Sequence, residues 1–219
     1  MRPHRLPTAI AALVIAAAIA AANFALWAWV NRPVAVPEWQ GPIGGFAYSV
    51  FQRWQSPLAG TYPTPEDIER DIAILARYSK RVRTYASAES SFVPRIAQDY
   101  GVQVTQGAWL DRRLENNELE MRALEGLVRA FPNIDRVIVG NEAILRSDLT
   151  AEQLITYLDR ARAELDVPVS TAEPWHVWLK YPELADHVDY IAIHLLPYWE
   201  GVPRRLAIDD VMKRYREVV

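Results

Sequence analysis

Short apolar runs alternate with helix-periodic stretches along most of this 219-residue chain, and that alternation limits its possible folds more than any other feature. Candidate strands are 43–48 (IGGFAY), 81–85 (RVRTY), 102–108 (VQVTQGA), 136–141 (RVIVGN), 167–171 (VPVST) and 190–194 (YIAIH). Helices are expected between them. Thr64-Pro65-Glu66-Asp67 combines an N-cap, a proline at the first helical position and an acid at the third, and Thr150-Ala151-Glu152-Gln153 is a capping box of the same kind. Gly101 and Pro132 fit helix stops, and a half-buried helix is expected over 115–131. Crossovers this short call for a parallel sheet covered by helices. An open doubly wound sheet usually carries a nucleotide site, yet the chain has neither G-x-G-x-x-G nor a Walker lysine loop. The expected class is therefore α/β, of the (β/α)8 TIM-barrel type. Its units average about 30 residues, so about six of eight are expected in 43–219, with the rest in a continuation of the gene or in a partner.

The first thirty residues are a separate object. Thr8 to Val30 reads TAIAALVIAAAIAAANFALWAWV, in which only Thr8 and Asn23 are polar. As a helix, 23 residues at roughly 1.5 Å each span about 34 Å, enough to cross a hydrocarbon core of about 30 Å. Arg2 and Arg5 in the 1–7 flank favour a cytoplasmic N-terminus, which sends the remainder outward and sets Trp27 and Trp29 at the outer interface. The segment reads as a signal anchor over 8–30; a cleaved secretory signal is the alternative, and both export the rest. Residues 31–42, with three prolines, read as a linker.

The chain has no cysteine, which excludes disulfides, thiolate metal sites and cysteine nucleophiles, and its net charge of −3 offers no footprint for nucleic acid. His176 and His187 lack metal-ligand spacing, so neither a metal nor another cofactor is expected. The charged stretches RRLENNELEMR and KRYRE read as solvated helix faces. Barrels of this type work at the C-terminal ends of their strands. There the sequence sets Val139-Gly140-Asn141-Glu142, a carboxylate directly after an apolar strand, which by spacing alone also suits a capping pair. Around the same rim fall Tyr48, Arg83, Tyr85, Trp109, Glu173, Trp175, His194, Tyr198 and Trp199. Aromatic platforms with scattered acids and amides suit sugars, whose rings offer flat C–H faces and many hydroxyls. Arg83 reads either as a lumen guanidinium seeking a carboxylate or as a rim arginine in solvent. His194 reads as a donor to substrate or as a structural histidine.

The segments VIVGNE, GFAYSVFQ, VRTY, VTQGAWL, VPVSTAEPWHVW and IAIHLLPYW, taken together, resemble glycoside hydrolase family 17, the retaining β-1,3-glucanases. The likeness is to a bacterial branch found as an exported module, often joined to a membrane family 2 glucosyltransferase in β-glucan synthases. It implies that Glu142 is the general acid/base and that Asn141 holds the sugar 2-hydroxyl. It also implies a nucleophilic glutamate in an E-x-G-W-P-like segment, which this sequence lacks. Retaining hydrolysis needs two carboxyls about 5 to 5.5 Å apart. Glu173 is not expected to substitute; it is expected to fix a sugar hydroxyl or to orient Trp175.

Two functions follow as expectations. One is an exported, membrane-anchored hydrolase or transglycosidase acting on β-1,3-glucan, inactive alone for want of its nucleophile. The other is a non-catalytic module that holds glucan beside a synthase through Trp109, Trp175, Tyr198 and Trp199. A gene fragment without function of its own is a third possibility. The expected location is the inner membrane, single-pass, with the barrel on the periplasmic or extracellular side.

Overall fold

A computed structural model describes residues 8–33, 35 and 40–219; residues 1–7, with Arg2 and Arg5, and linker residues 34 and 36–39 lie outside the described residues. The chain divides into two compact units. One holds the N-terminal helix and Leu196–Glu217, and the other holds Gln40–Leu195.

In the first unit, α1 (Thr8–Val30) is helical throughout, and Ile10–Val30 is long and apolar enough to cross a membrane. The side-chain amide of Asn23 donates to the Ile19 carbonyl at 3.1 Å, so the polar group inside the apolar run has a partner on its own helix. The unit also contains α7 (Ala207–Val218) up to Glu217, whose face from Lys213 to Glu217 carries the ion pairs expected of a solvated stretch.

The second unit is the half-barrel. Six strands, β1 (Phe46–Ala47), β2 (Arg81–Arg83), β3 (Gln103–Ala108), β4 (Ile134–Asn141), β5 (Val169–Pro174) and β6 (Ala192–His194), pair in sequence order, every pair parallel. The connections carry α2 (Pro65–Leu75), α3 (Val93–Asp99), α4 (Leu114–Ala130), α5 (Ala151–Glu164) and the short α6 (Trp175–Lys180). Among the described residues nothing pairs with the outer edges of β1 and β6.

Both capping boxes form. Thr64 exchanges hydrogen bonds with Asp67 at the start of α2, with Pro65 in the first turn, and Thr150 does the same with Gln153 at the start of α5. Gly101 ends the turn after α3 at φ +62. The core fills the space between sheet and helices with Ile68 and Ile72 of α2, Leu124 of α4, Leu154 and Leu158 of α5, and Val104 and Val137 from the strands.

The strands occupy the expected places with shifted ends. β5 begins after Pro168, which has no N–H to give to a ladder, and runs on to Pro174 because Glu173 and Pro174 pair with Ile193 and His194 of β6. Glu173 therefore lies within a strand and not after one. One helix face also differs from expectation. In RRLENNELEMR, Asn117 and Glu120 of α4 are buried and bonded to the loops above β2 and β3.

Candidate functional site

Strand β4 ends in a distorted exit. Its pairing with β5 slips between Ile138 and Asn141, Gly140 takes φ +82, and Glu142 takes φ +53, a left-handed backbone uncommon for a side-chain-bearing residue. A Cβ at Gly140 would also meet Leu154 Cδ1 at 3.0 Å, so this position needs glycine on two counts. The twist leaves Asn141 and Glu142 side by side at the strand end, with the Glu142 N–H still held by the Ala172 carbonyl at 2.7 Å.

Three alternate strands meet at this point. Arg83 of β2 donates through Nη2 to Asn141 Oδ1 at 2.6 Å, and its Nη1 lies 3.2 Å from His194 Nε2 at the end of β6. His194 Nδ1 lies 2.7 Å from Glu142 Oε1. A guanidinium only donates, so His194 Nε2 is an acceptor, and the ring's single proton sits on Nδ1 and is given to the carboxylate of Glu142. Side chains from alternate strands form one layer of a (β/α)8 interior, which is the geometry seen here for β2, β4 and β6. The guanidinium of Arg83 also stacks 4.8 Å from the Tyr85 ring, and its buried Nε–H has no hydrogen-bond partner among the described residues. Of the two sequence readings of Arg83, the lumen one describes its place, with an imidazole and an amide where a carboxylate was expected.

Burial pulls the His194 imidazole below its ordinary range, against the bond to Glu142, which pulls it up. Burial likewise lowers Arg83, which remains a cation. Glu142 and His194 keep 25% and 18% of their side-chain surface, so both can be reached from the mouth.

Glu173 has a different place from the one expected. It is 0% exposed, and its carboxyl oxygens accept the backbone N–H groups of Ile144, at 2.8 Å, and Leu145, at 3.3 Å, in the turn that follows Glu142. Burial pushes it up to about 7, opposed by those two hydrogen bonds. It has no surface to give a sugar. Tyr48 is also misplaced by the sequence reading: it is buried, with its hydroxyl donating to Asp71 Oδ2 at 3.0 Å, so it faces α2 and not the mouth. Tyr198 and Trp199 stand as an exposed edge-to-face pair, ring centroids 5.3 Å apart, in the unit that holds α1. Trp175 is half-buried at the start of α6, with its ring edge-on to His176 at 5.6 Å.

Trp109 and Tyr85 line a cavity of about 1120 Å³ above the exits of β1, β2 and β3. Tyr62 and Phe92 share its wall with Glu89, Asp111 and Asn116. Two residues that sequence reasoning missed hold its wall in place. Glu120 accepts the N–H groups of Ser87, Ala88 and Trp109 at 2.7, 3.0 and 3.1 Å, tying both loops to α4. Arg146 lies 4.2 Å under the Trp109 ring, donates to the backbone carbonyls of Asn141 and Leu110, and pairs with Asp148 at 2.8 Å. Arg146 therefore joins the cavity wall to the Glu142 turn. A usable signal was its place four residues after Glu142; Glu120 gave none, because acids on a helix usually face solvent.

Six parallel strands paired in sequence order with helices between them define the class, a partial (β/α)8 barrel, with a carboxylate, an amide, a guanidinium and an imidazole gathered at its strand ends. The profile of the BtgE/BtgC glycoside hydrolase domain matches residues 45–219, and the chain belongs to that family. This agrees with the resemblance to the family 17 β-1,3-glucanases. A glucan 1,3-beta-glucosidase of Schizosaccharomyces pombe is 28% identical over 157 residues, which cover 65% of this chain and 49% of the relative. A glucan 1,3-beta-glucosidase of Candida albicans is 26% identical over 178 residues, 70% of this chain and 57% of the relative. A glucan endo-1,3-beta-glucosidase of Emericella nidulans is 25% identical over 157 residues, 64% of this chain and 24% of the relative. The chain thus spans about half, or less, of these curated relatives.

Proposed function

We propose that this chain is a glycosidase or transglycosidase module for β-1,3-glucan in which Glu142 is the general acid/base. The observation that carries the reading is the layer of Arg83, Asn141, Glu142 and His194 at the ends of three alternate strands. Its chemistry suits the role. His194 occupies Glu142 Oε1, which leaves Oε2 to carry a proton to a glycosidic oxygen. Asn141 gives its oxygen to Arg83, which leaves its NH2 group as donor to a sugar hydroxyl. Trp109 and Tyr85 supply faces for sugar rings in the cavity, which Arg146 under Trp109 and Arg83 against Tyr85 join to the strand ends that carry the acid.

The retaining mechanism also needs a nucleophilic carboxylate. Glu173 is fully buried and bonded to backbone, so it cannot attack an anomeric carbon. This favours a second reading, in which the chain alone holds glucan, beside a synthase, with little or no turnover. Helix α1 would anchor the module in the inner membrane with the barrel on the outer side.

Laminari-oligosaccharides titrated into the full chain in detergent should bind, and Trp109→Ala should weaken that binding. Any sugar release should fall about 1,000-fold in Glu142→Gln. Absence of binding would sink both readings, and turnover untouched by Glu142→Gln would sink the assignment of the acid. Robust turnover lost in that variant would remove the reading of inactivity alone. Membrane fractionation with N-terminal sequencing separates an anchor from a cleaved signal.

A further inference from the structure

We propose that Glu173 is the positioning residue for Glu142: from inside β5 it holds the turn that carries the acid, and so decides whether the acid meets His194. The proposal rests on the reading of Glu142 as the acid/base, and it assigns a role to a buried carboxyl that substrate cannot reach.

The turn after β4 begins with a left-handed residue, Glu142, and such backbone persists only where its surroundings hold it. Within the turn, Arg146 N–H bonds the Glu142 carbonyl at 2.9 Å and Ser147 N–H bonds the Ile144 carbonyl at 2.9 Å. The N–H groups of Ile144 and Leu145 have no acceptor on their own turn, and Glu173 supplies it from the neighbouring strand. An ionised carboxyl is suited to this: it has two oxygens that accept and no proton that donates, so it meets two adjacent N–H groups at once. A glutamine of the same size can accept one N–H, but it turns its own NH2 toward the other. Protonation of Glu173 likewise removes an acceptor.

The charged and titratable groups facing this carboxyl are Glu142 and Arg146 from the β4 turn. Asp148 follows through Arg146, and His194 of β6 through Glu142. Arg146 and Glu173 grip the turn from opposite ends. Arg146 takes the Asn141 carbonyl at its entry, and Glu173 takes the two N–H groups just past the acid. With both in place, Glu142 Oε1 reaches His194 Nδ1 at 2.7 Å.

The test uses the full chain in detergent micelles, uniformly ¹⁵N-labelled so that backbone amides and imidazoles are both observed, and its central readout is the His194 Nδ1–H signal and tautomer. His187, bonded to Asp159 at 2.6 Å, serves as internal control. In Glu173→Gln the chain should stay folded by circular dichroism and the His187 signals should not move. The His194 Nδ1–H signal should be lost, or split between tautomers. In the wild-type chain, the Ile144 and Leu145 amides and the His194 signal should shift together with a midpoint near Glu173's value of about 7, which keeps the test open should the variant not fold.

A folded Glu173→Gln with an unchanged His194 signal overturns the proposal. So does a wild-type titration in which the two amides move and His194 does not, since Glu173 would then be a structural cap only. Where the chain turns over laminari-oligosaccharides, kcat should fall about 100-fold in the variant with KM within about twofold. Failure of the wild-type chain to bind glucan would strike the functional reading alone, because the histidine readout needs no sugar.

Discussion

Strands β3, β4 and β5 run six, eight and six residues with most positions buried, whereas β1 and β6 run two and three with none buried. The central strands are covered on both faces, as a parallel sheet requires, and their length follows from apolar content that both faces can use. Among the described residues the flanks have a strand on one side only, and their pairing stops after two or three residues. The candidate site straddles this difference. Glu142 leaves the longest strand, which is mostly buried, while His194, which holds its carboxyl, comes from the half-exposed flank. The position of the acid is thus fixed by the rigid centre, and its hydrogen bonding depends on the softer edge.

Truncation in the two regions should separate them most. Leu154→Ala, at a fully buried α5 position against Gly140, should cost about 3 kcal/mol, while Ile193→Ala in β6 should cost about 1 kcal/mol. Denaturant midpoints of both variants check this; equal losses would erase the contrast between centre and flank.

A smaller effect is expected from pH. The folded chain holds the Glu173 proton more tightly than the unfolded chain does, so this group's contribution to stability falls as pH rises from about 4.5 through about 7. The full drop is roughly 3 kcal/mol at most. Melting curves across that window should show the slope in the wild-type chain, and Glu173→Gln should flatten it. A slope of the same size in the variant would assign the effect elsewhere.

The smallest expected effect lies on the flank side. Arg83→Met removes a cation beside His194 and frees Nε2 to take a proton, so the imidazole should titrate at higher pH than in the wild-type chain. Imidazole NMR signals report this directly, and an unshifted titration would break the Arg83–His194 link.

Several elements were legible from sequence because their causes are local. Each capping box spans four residues, an apolar run of 23 needs no partner to be helical, and the strand before Gly140-Asn141-Glu142 shows its own pattern. The strand-end pattern put Glu142 on the rim for the same reason, since Val139-Gly140-Asn141-Glu142 is contiguous.

Glu173 and Tyr48 were read as rim residues because strand spacing cannot tell one residue's inward turn from its neighbour's when the strand end is unknown. One of the two readings of Arg83 gave it a carboxylate because charge bookkeeping ignores which acceptors a fold delivers.

The sequence by itself determined the alternation of strands and helices, the helix starts, the apolar N-terminal helix and the acid at the strand exit, all set by interactions within about four residues. Tertiary structure alone decided which groups the acid touches. Its partners lie 52 residues away at His194 and, through Asn141, 58 away at Arg83, while its turn is held from 29 residues away by Glu173. Those contacts depend on the left-handed twist at Gly140 and Glu142 and on the register of neighbouring strands, which only the packed sheet can supply.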